Sequence, residues 1–391
     1  MTSPEDKKLK ERVLIPESQE APVAMIPRWK QPVSGIVSLI LVFAITFLVW
    51  FIPGVATLSS ILAGFGIMGV LFAIWGENWP ISKLREPWKI GLVATIVNIV
   101  IAFVFFFVAN WFAMVYSPWI GVTDPAAYIG VGWAIFGSLS ASMFSFAVLW
   151  LAGSMYWPWF DKKQPARGIR LFIVGWIITI IVWLILFFPY GNPDAVPTDV
   201  QSWVLPQYGI SMGWTQWTIF FSLLTLMAFE YWPWDKAGKQ PKIGVAALIG
   251  CSILGLIMVV AAGFIVGFIF VPVFALLGYT VPGTEQLLVG IGLMNVGYAD
   301  WLIVAVVVVS LFFDNWPKKY SQGKNLAIRF ITILVIGTVL FATFYLYSPF
   351  LGAAYVGSPF YDNPTSFLLM LIWVQLIFAY LWKKWPVAEA L

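Results

Sequence analysis

Histidine is absent from this sequence of 391 residues, and cysteine occurs once, at Cys251. Without imidazole the chain lacks the ligands of histidine-bound haem and of the imidazole-rich copper, zinc and iron sites. One cysteine permits no intrachain disulfide and no thiol pair for metal or redox chemistry, and its place in an apolar run indicates a small buried helix residue. The sequence therefore predicts no metal site and no cofactor.

Charged side chains are also scarce. They form 10% of the chain, against 61% hydrophobic residues, whereas soluble proteins contain about a quarter charged residues. The net charge is +4, but the cations lie in short clusters beside apolar runs, where lysine and arginine act as topology signals. We expect a protein of the lipid bilayer with no nucleic-acid partner.

Signatures of catalysis are missing too. The sequence has no Gly-x-x-x-x-Gly-Lys phosphate loop, no zinc-ligand spacing, and neither an imidazole nor an intramembrane lysine to activate a serine. The sequence therefore predicts that the protein is not an enzyme.

A Trp-Pro dipeptide followed by a basic block recurs along the chain. Its tryptophans are Trp79, Trp157, Trp232, Trp316 and Trp385, separated by 78, 75, 84 and 69 residues. Each interval accommodates two membrane helices, which favours true internal repeats. The alternative is that proline and tryptophan simply gather at membrane interfaces.

Apolar runs of about twenty residues lie between these blocks, the length that a helix needs to cross a hydrocarbon core of about 30 Å. The first run of each pair ends at a proline, which cannot continue a helix. The ten predicted helices cover residues 34–52, 57–76, 90–115, 131–156, 169–188, 212–231, 243–271, 290–313, 326–347 and 366–382.

These runs predict an all-α, polytopic membrane protein of about ten transmembrane helices, arranged as five tandem two-helix hairpin repeats. We expect an N-terminal tail at 1–32, a membrane domain at 33–386 and a short C-terminal end at 387–391. The approximate repeats are 30–80, 85–159, 163–234, 239–317 and 324–386.

The orientation follows from the positive charges. All 22 Lys and Arg residues lie in the N-terminal tail, near the Trp-Pro blocks or at the C-terminal end, and none lies in the alternate loops. Such residues concentrate on the cytoplasmic side. We therefore predict a multi-pass protein of the cytoplasmic (inner) membrane with both termini in the cytoplasm.

Tryptophans at the span boundaries are predicted interface anchors, because their rings favour the depth of the headgroups. The alternative is a cation-binding aromatic cage. The predicted anchors are Trp79, Trp157, Trp159, Trp232, Trp234, Trp316 and Trp385.

Polar residues inside the spans are the candidate substrate-binding residues, because they are costly in hydrocarbon. Asp300 and Gln216 each lie 16 residues before the tryptophan of a Trp-Pro dipeptide, about 24 Å along a helix. Two interpretations remain open for Asp300: it reaches the outer headgroups, or it contacts a ligand near an outer vestibule.

Asn98 and Gln375 are predicted to lie close to the membrane midplane, where an amide needs a hydrogen-bond partner. That partner is either another helix or a substrate. Ser138, Ser142 and Ser145 form a hydroxyl stripe on one helix face, which fits either close helix packing or a wetted path.

Two functions from different classes fit these features. The first is a transporter or channel-like protein for a small neutral or weakly polar solute. The second is a non-catalytic membrane subunit or scaffold that binds partner proteins, lipid or quinone. The sequence leaves open whether the chain has membrane partner subunits or forms a homo-oligomer.

Overall fold

The computed structural model describes residues 25–120, 123–125, 128–187, 208–353 and 355–390. Ten helices occupy most of this part of the chain, which confirms the all-α prediction. They are α1 (Val33–Trp50), α2 (Val55–Trp75), α3 (Pro87–Tyr116), α4 (128–153), α5 (Ala166–Leu186), α6 (208–228), α7 (Lys242–Leu276), α8 (Thr284–Phe312), α9 (Gln322–Tyr347) and α10 (Thr365–Leu381).

Seven of these helices are long and apolar enough to cross a membrane, namely α1, α3, α4, α5, α7, α8 and α9. The described parts of α2 and α10 are shorter apolar helices, at Leu62–Trp75 and Thr365–Leu381. This composition is that of a multi-pass α-helical membrane protein. Ten crossings stay a prediction.

Most helices begin within about four residues of the predicted starts. Pro87 occupies the first turn of α3, and Pro165 and Pro241 come directly before α5 and α7, as suits a residue with no amide proton to bond. One predicted end is wrong: α7 continues past Pro272 to Leu276. A π-helical turn at Val266–Phe270 precedes this proline and adjusts the backbone bonding there.

Two short strands accompany the helices. β1 (Met25–Pro27) pairs antiparallel with β2 (Ala388–Ala390), with Ile26 opposite Glu389. Arg28 extends the contact, since its backbone N–H donates to the Val387 carbonyl at 3.0 Å. The predicted tail therefore touches the predicted C-terminal end; the part of the tail at residues 1–24 lies outside the described residues.

Burial divides the helices into two sets. The most apolar stretch of α8 is 89% buried, whereas that of α7 is 17% buried and those of α3 and α9 are each 22% buried. Residues 62–70 of α2 and most of α6 and α10 are also buried. The even-numbered helices therefore form the interior, and the odd-numbered helices expose broad apolar faces.

The interior helices form a closed inner ring in chain order, in which α2, α4, α6, α8 and α10 each pack against the next and α10 returns to α2. Each outer helix covers a junction of this ring. Helix α3 lies over α10 and α2, α5 over α2 and α4, α7 over α4 and α6, α9 over α6 and α8, and α1 over α8 and α10.

Each inner helix ends in the same backbone turn. Two consecutive residues with φ between 49° and 73° precede each Trp-Pro dipeptide, whose peptide bond is cis in all five places. The second of the two donates its N–H to a carbonyl five or six residues back, which satisfies a group left free at the helix end. These pairs are Glu77 and Asn78, Met155 and Tyr156, Glu230 and Tyr231, Asp314 and Asn315, and Lys383 and Lys384.

Glutamine side chains join three outer helices to these turns. Gln31 Nε2 donates to the Phe312 carbonyl at the end of α8 at 2.9 Å, and its Oε1 accepts from the Gly35 N–H. Gln164 and Gln240 do the same at the ends of α2 and α4. In each case the carbonyl lies four residues before the tryptophan of a Trp-Pro dipeptide.

Candidate functional site: a cavity within the inner ring

A cavity of about 50 Å³ lies among four inner helices. Gly64 and Phe65 of α2 form one wall, and α4, α6 and α10 form the others. The lining is mostly apolar, and its polar members are Ser140, Gln216 and Thr365. These three side chains determine what the cavity can bind.

Gln216 is the principal polar group of the cavity. Its side chain is only 9% exposed, and it forms no hydrogen bond with any described residue. An amide buried in this way has donors and an acceptor with unmet hydrogen-bonding capacity. The sequence predicted Gln216 as a contact residue, and the structure places it at the cavity.

Asp300 does not line the cavity but is hydrogen-bonded to Thr365, which does. Thr365, at the start of α10, donates from Oγ1 to Asp300 Oδ2 at 3.2 Å. Asp300 is 5% exposed, so its carboxyl group is buried within the protein. The structure therefore brings Asp300 and Gln216, from neighbouring inner helices, to the same part of the molecule.

Asn98 makes bonds between helices. Its Nδ2 donates to the Gly66 carbonyl at 2.9 Å, and its Oδ1 accepts from Trp373 Nε1 at 2.7 Å. The amide thus joins α3, α2 and α10 and does not line the cavity.

Gln375 lies elsewhere in the ring and is fully buried. Neither atom of its amide has a hydrogen-bond partner among the described residues, and it does not line the cavity. The two amides predicted at the midplane therefore differ in hydrogen bonding.

The serines of the stripe form hydrogen bonds mainly within their own helix. Ser142 and Ser145 donate to carbonyls four residues earlier, at 2.8 and 2.6 Å. Ser138 donates to the Ile135 carbonyl and accepts from Trp183 Nε1 of α5. All three are fully buried, which fits helix packing better than a wetted path.

The predicted tryptophan anchors vary in exposure. Trp79 and Trp316 are 44% and 45% exposed, and the other five are half-buried. Trp234 donates to Thr225 Oγ1 at 2.9 Å and lies against Gly250 of α7. The cation near the Trp232 ring is the chain's own Lys236, at 5.5 Å from the ring centroid.

Two polar residues of the cavity are not predicted from the sequence. Ser140 lies between Ser138 and Ser142 in the sequence but lines the cavity; a helical projection of α4 could have separated it from the stripe. Thr365 follows a loop proline, and its importance depends on Asp300, 65 residues away. No signal near Thr365 in the sequence reveals that partner.

The apolar helices, the ring that they form and the mostly apolar cavity inside it, with its three polar side chains, define a multi-pass helical membrane protein with a buried candidate binding site. No family model, curated protein or solved structure matches this chain.

Proposed function

We propose that the chain consists of five tandem two-helix repeats that cross the inner membrane ten times, with both termini in the cytoplasm. Three observations support this proposal. The same turn closes all five inner helices, three outer helices share one glutamine contact, and β1, just before the first helix, pairs with β2, just after the last.

We propose that the protein transports, or lets pass, a small neutral or weakly polar solute that binds in the cavity within the inner ring. The observation that carries this proposal is the Gln216 amide, which is nine-tenths buried, without a partner among the described residues and located at the cavity. An amide both donates and accepts hydrogen bonds, so it suits an uncharged polar solute.

The size of the cavity restricts the solute. A volume of 50 Å³ holds roughly three to five water molecules at about 10–15 Å³ for each. Ser140 and Thr365 add hydroxyl groups to the lining, and no described Lys or Arg lines the cavity, so a bound anion would have no counter-charge there. Urea, acetamide and glycerol match these properties and are suitable probes.

Transport requires the inner ring to open at the end where the Trp-Pro dipeptides lie. Near this end, residues 304–309 of α8 are all buried, so the ring is closed there. Helices α6, α8 and α10 each have a π-helical turn that starts eight residues before their Trp-Pro tryptophan. Such turns often mark functional sites in helices, and we assign the opening movement to them.

The test is isosmotic swelling of proteoliposomes in urea, acetamide or glycerol, with Gly137→Leu as the blocking variant. Gly137 lines the cavity, and a Cβ there meets no atom within 4 Å, so the new side chain fills the cavity without a clash at its base. We expect swelling by the wild type and a loss of at least tenfold in its rate with Gly137→Leu.

The matched control is Gly292→Leu, another open helical glycine, located on the exposed side of α8. It should retain the wild-type rate. Equal swelling by all three proteins would show that solute does not pass through the cavity.

The second candidate is a non-catalytic membrane subunit or scaffold. The closure of the inner ring at its Trp-Pro end favours this function. This function predicts no swelling above that of empty vesicles for any probe, together with stoichiometric co-purification of a partner protein. In either case we propose that the chain is not an enzyme.

A further inference from the structure

Four of the five outer helices approach the inner ring through a glycine. Gly35 lies against Phe313, Gly91 against Trp382, Gly168 against Gly76 and Gly244 against Ser154, so that an added Cβ would meet these neighbours at 2.5 to 3.0 Å. In every case the neighbour lies three residues before the tryptophan of a Trp-Pro dipeptide. A side chain larger than hydrogen would force these helices apart.

Helix α9 differs at the corresponding place. Its buried residues Asn325, Leu326 and Arg329 repeat the spacing of Ile243, Gly244 and Ala247 on α7, so Leu326 stands where the other four helices have glycine. The residue three before Trp232 is Phe229, and it lines the same open space as Leu326. This junction therefore has leucine and phenylalanine side chains where the other four have a glycine in close contact.

The glutamine contact is also replaced at this junction. Gln322 precedes Leu326 by four residues, as Gln240 precedes Gly244, but Gln322 is exposed. The carbonyl that it would be expected to bind, that of Ala228, instead accepts from Arg329 Nη1 at 2.8 Å. Gln322 is therefore left at the surface, seven residues before the arginine that makes this bond.

The result is an open groove of about 490 Å³ between α6 and α9 that extends to Leu254 of α7. Its lining is strongly apolar and aromatic, and Gln322 is at its edge. The main lining residues are Leu224, Phe229, Trp232, Leu254, Leu326 and Phe330.

We propose that this groove binds one acyl chain of an anionic phospholipid, whose headgroup lies beside the lysines at the Trp-Pro end. Lys236 stands over Trp232, a lining residue, and the exposed Lys324 follows Gln322 by two residues. Basic residues between membrane helices on the cytoplasmic side select anionic headgroups, and the apolar wall accepts the chain. The proposal is independent of solute transport.

The test uses the full-length protein reconstituted in bilayers that contain equal amounts of phosphatidylglycerol and phosphatidylcholine. After detergent extraction, native mass spectrometry counts the lipids that stay bound. We expect one phosphatidylglycerol per chain, and at least a tenfold loss of this species with Ala327→Trp, since Ala327 lines the groove and the indole would obstruct the acyl chain. The double variant Lys236→Gln/Lys324→Gln should lose the preference for phosphatidylglycerol.

Ile169→Trp is the matched control, because Ile169 follows Gly168 on α5 as Ala327 follows Leu326 on α9 and is 56% exposed. It should retain the lipid, and its elution in size-exclusion chromatography monitors folding. The proposal is overturned if wild type and Ala327→Trp retain equal phosphatidylglycerol, if both lipids are retained equally by the wild type, or if Ala327→Trp instead dissociates a dimer.

Discussion

At the scale of single residues, the buried amides show how much a hydrogen-bond partner matters. Asn98 bonds the Gly66 carbonyl and the Trp373 indole. We predict that Asn98→Leu lowers the free energy of unfolding by about 2–6 kcal/mol, because two buried groups lose their partner at about 1–3 kcal/mol each. Thermal unfolding in detergent, followed by tryptophan fluorescence, measures the change; an unaltered midpoint would contradict this role.

Gln375 should behave in the opposite way. Neither of its amide atoms is bonded to a described residue, and an unsatisfied buried amide costs about 1–3 kcal/mol. We predict that Gln375→Leu raises the unfolding midpoint in the same assay. A lower midpoint would mean that the amide has a partner that the leucine cannot replace, such as a bound water molecule or solute.

The ion pairs at the Trp-Pro ends differ in burial. The Arg167 side chain is 8% exposed and pairs through Nη2 with Glu77 Oε1, whereas Lys89 and Glu86 are both about half exposed. We predict that Glu77→Gln destabilises the protein by about 1–3 kcal/mol, since a mostly buried cation loses its counter-charge. The control Glu86→Gln should leave the unfolding midpoint unchanged, and equal effects of the two variants would refute the distinction.

Counting from the span boundaries predicts the same membrane depth for Asn98 and Gln375, but it does not identify their hydrogen-bond partners. Which of them is bonded depends on Trp373 and Gly66, which are brought to Asn98 from other helices. Only the order of packing around the ring supplies that information.

At the scale of helices, close contact between α2 and α10 depends on a glycine under an indole. A Cβ at Gly66 would lie 2.1 Å from Trp373, whose Nε1 bonds Asn98. We predict that Gly66→Ala costs about 1–3 kcal/mol through overpacking, measured as a lower unfolding midpoint. Gly137→Ala is the control; its Cβ has open space, and alanine favours a helix by up to about 1 kcal/mol over glycine.

Helix positions were largely predictable, because apolar runs and flanking prolines act locally. The π-helical turn before Pro272 was not predicted, since an added residue in a helical turn has no distinct hydrophobic pattern. The paired residues with positive φ were also missed. Tyr156 and Lys384 occupy a conformation that these residue types rarely adopt, so residue preference gave no indication of it.

At the scale of the whole molecule, the proposed topology can be tested with single cysteines. The background is Cys251→Ala, since Cys251 is fully buried. We predict that a membrane-impermeant maleimide labels Val356→Cys in intact cells, because this exposed residue lies in a loop without basic residues, but labels Lys318→Cys only after permeabilisation. Labelling of Lys318→Cys in intact cells would reverse the orientation.

The ring arrangement could not be read from the sequence. The spacing of Trp-Pro dipeptides indicates repeats, but it does not show that α5 reaches back to α2, or that α1 reaches α8. These contacts join glutamines to carbonyls 89 and 281 residues away. Such pairings are set by the three-dimensional order of helices, for which one sequence contains no direct signal.

The pairing of Met25 with Ala390 brings the first and last described residues of the chain together. A short peptide link between these residues would leave the ring contacts intact, and the polypeptide could then be opened at another Trp-Pro junction, for instance after Lys319. Such a circular permutant should insert and fold with α9 as its first helix. The fold would then not depend on which helix comes first in the polypeptide.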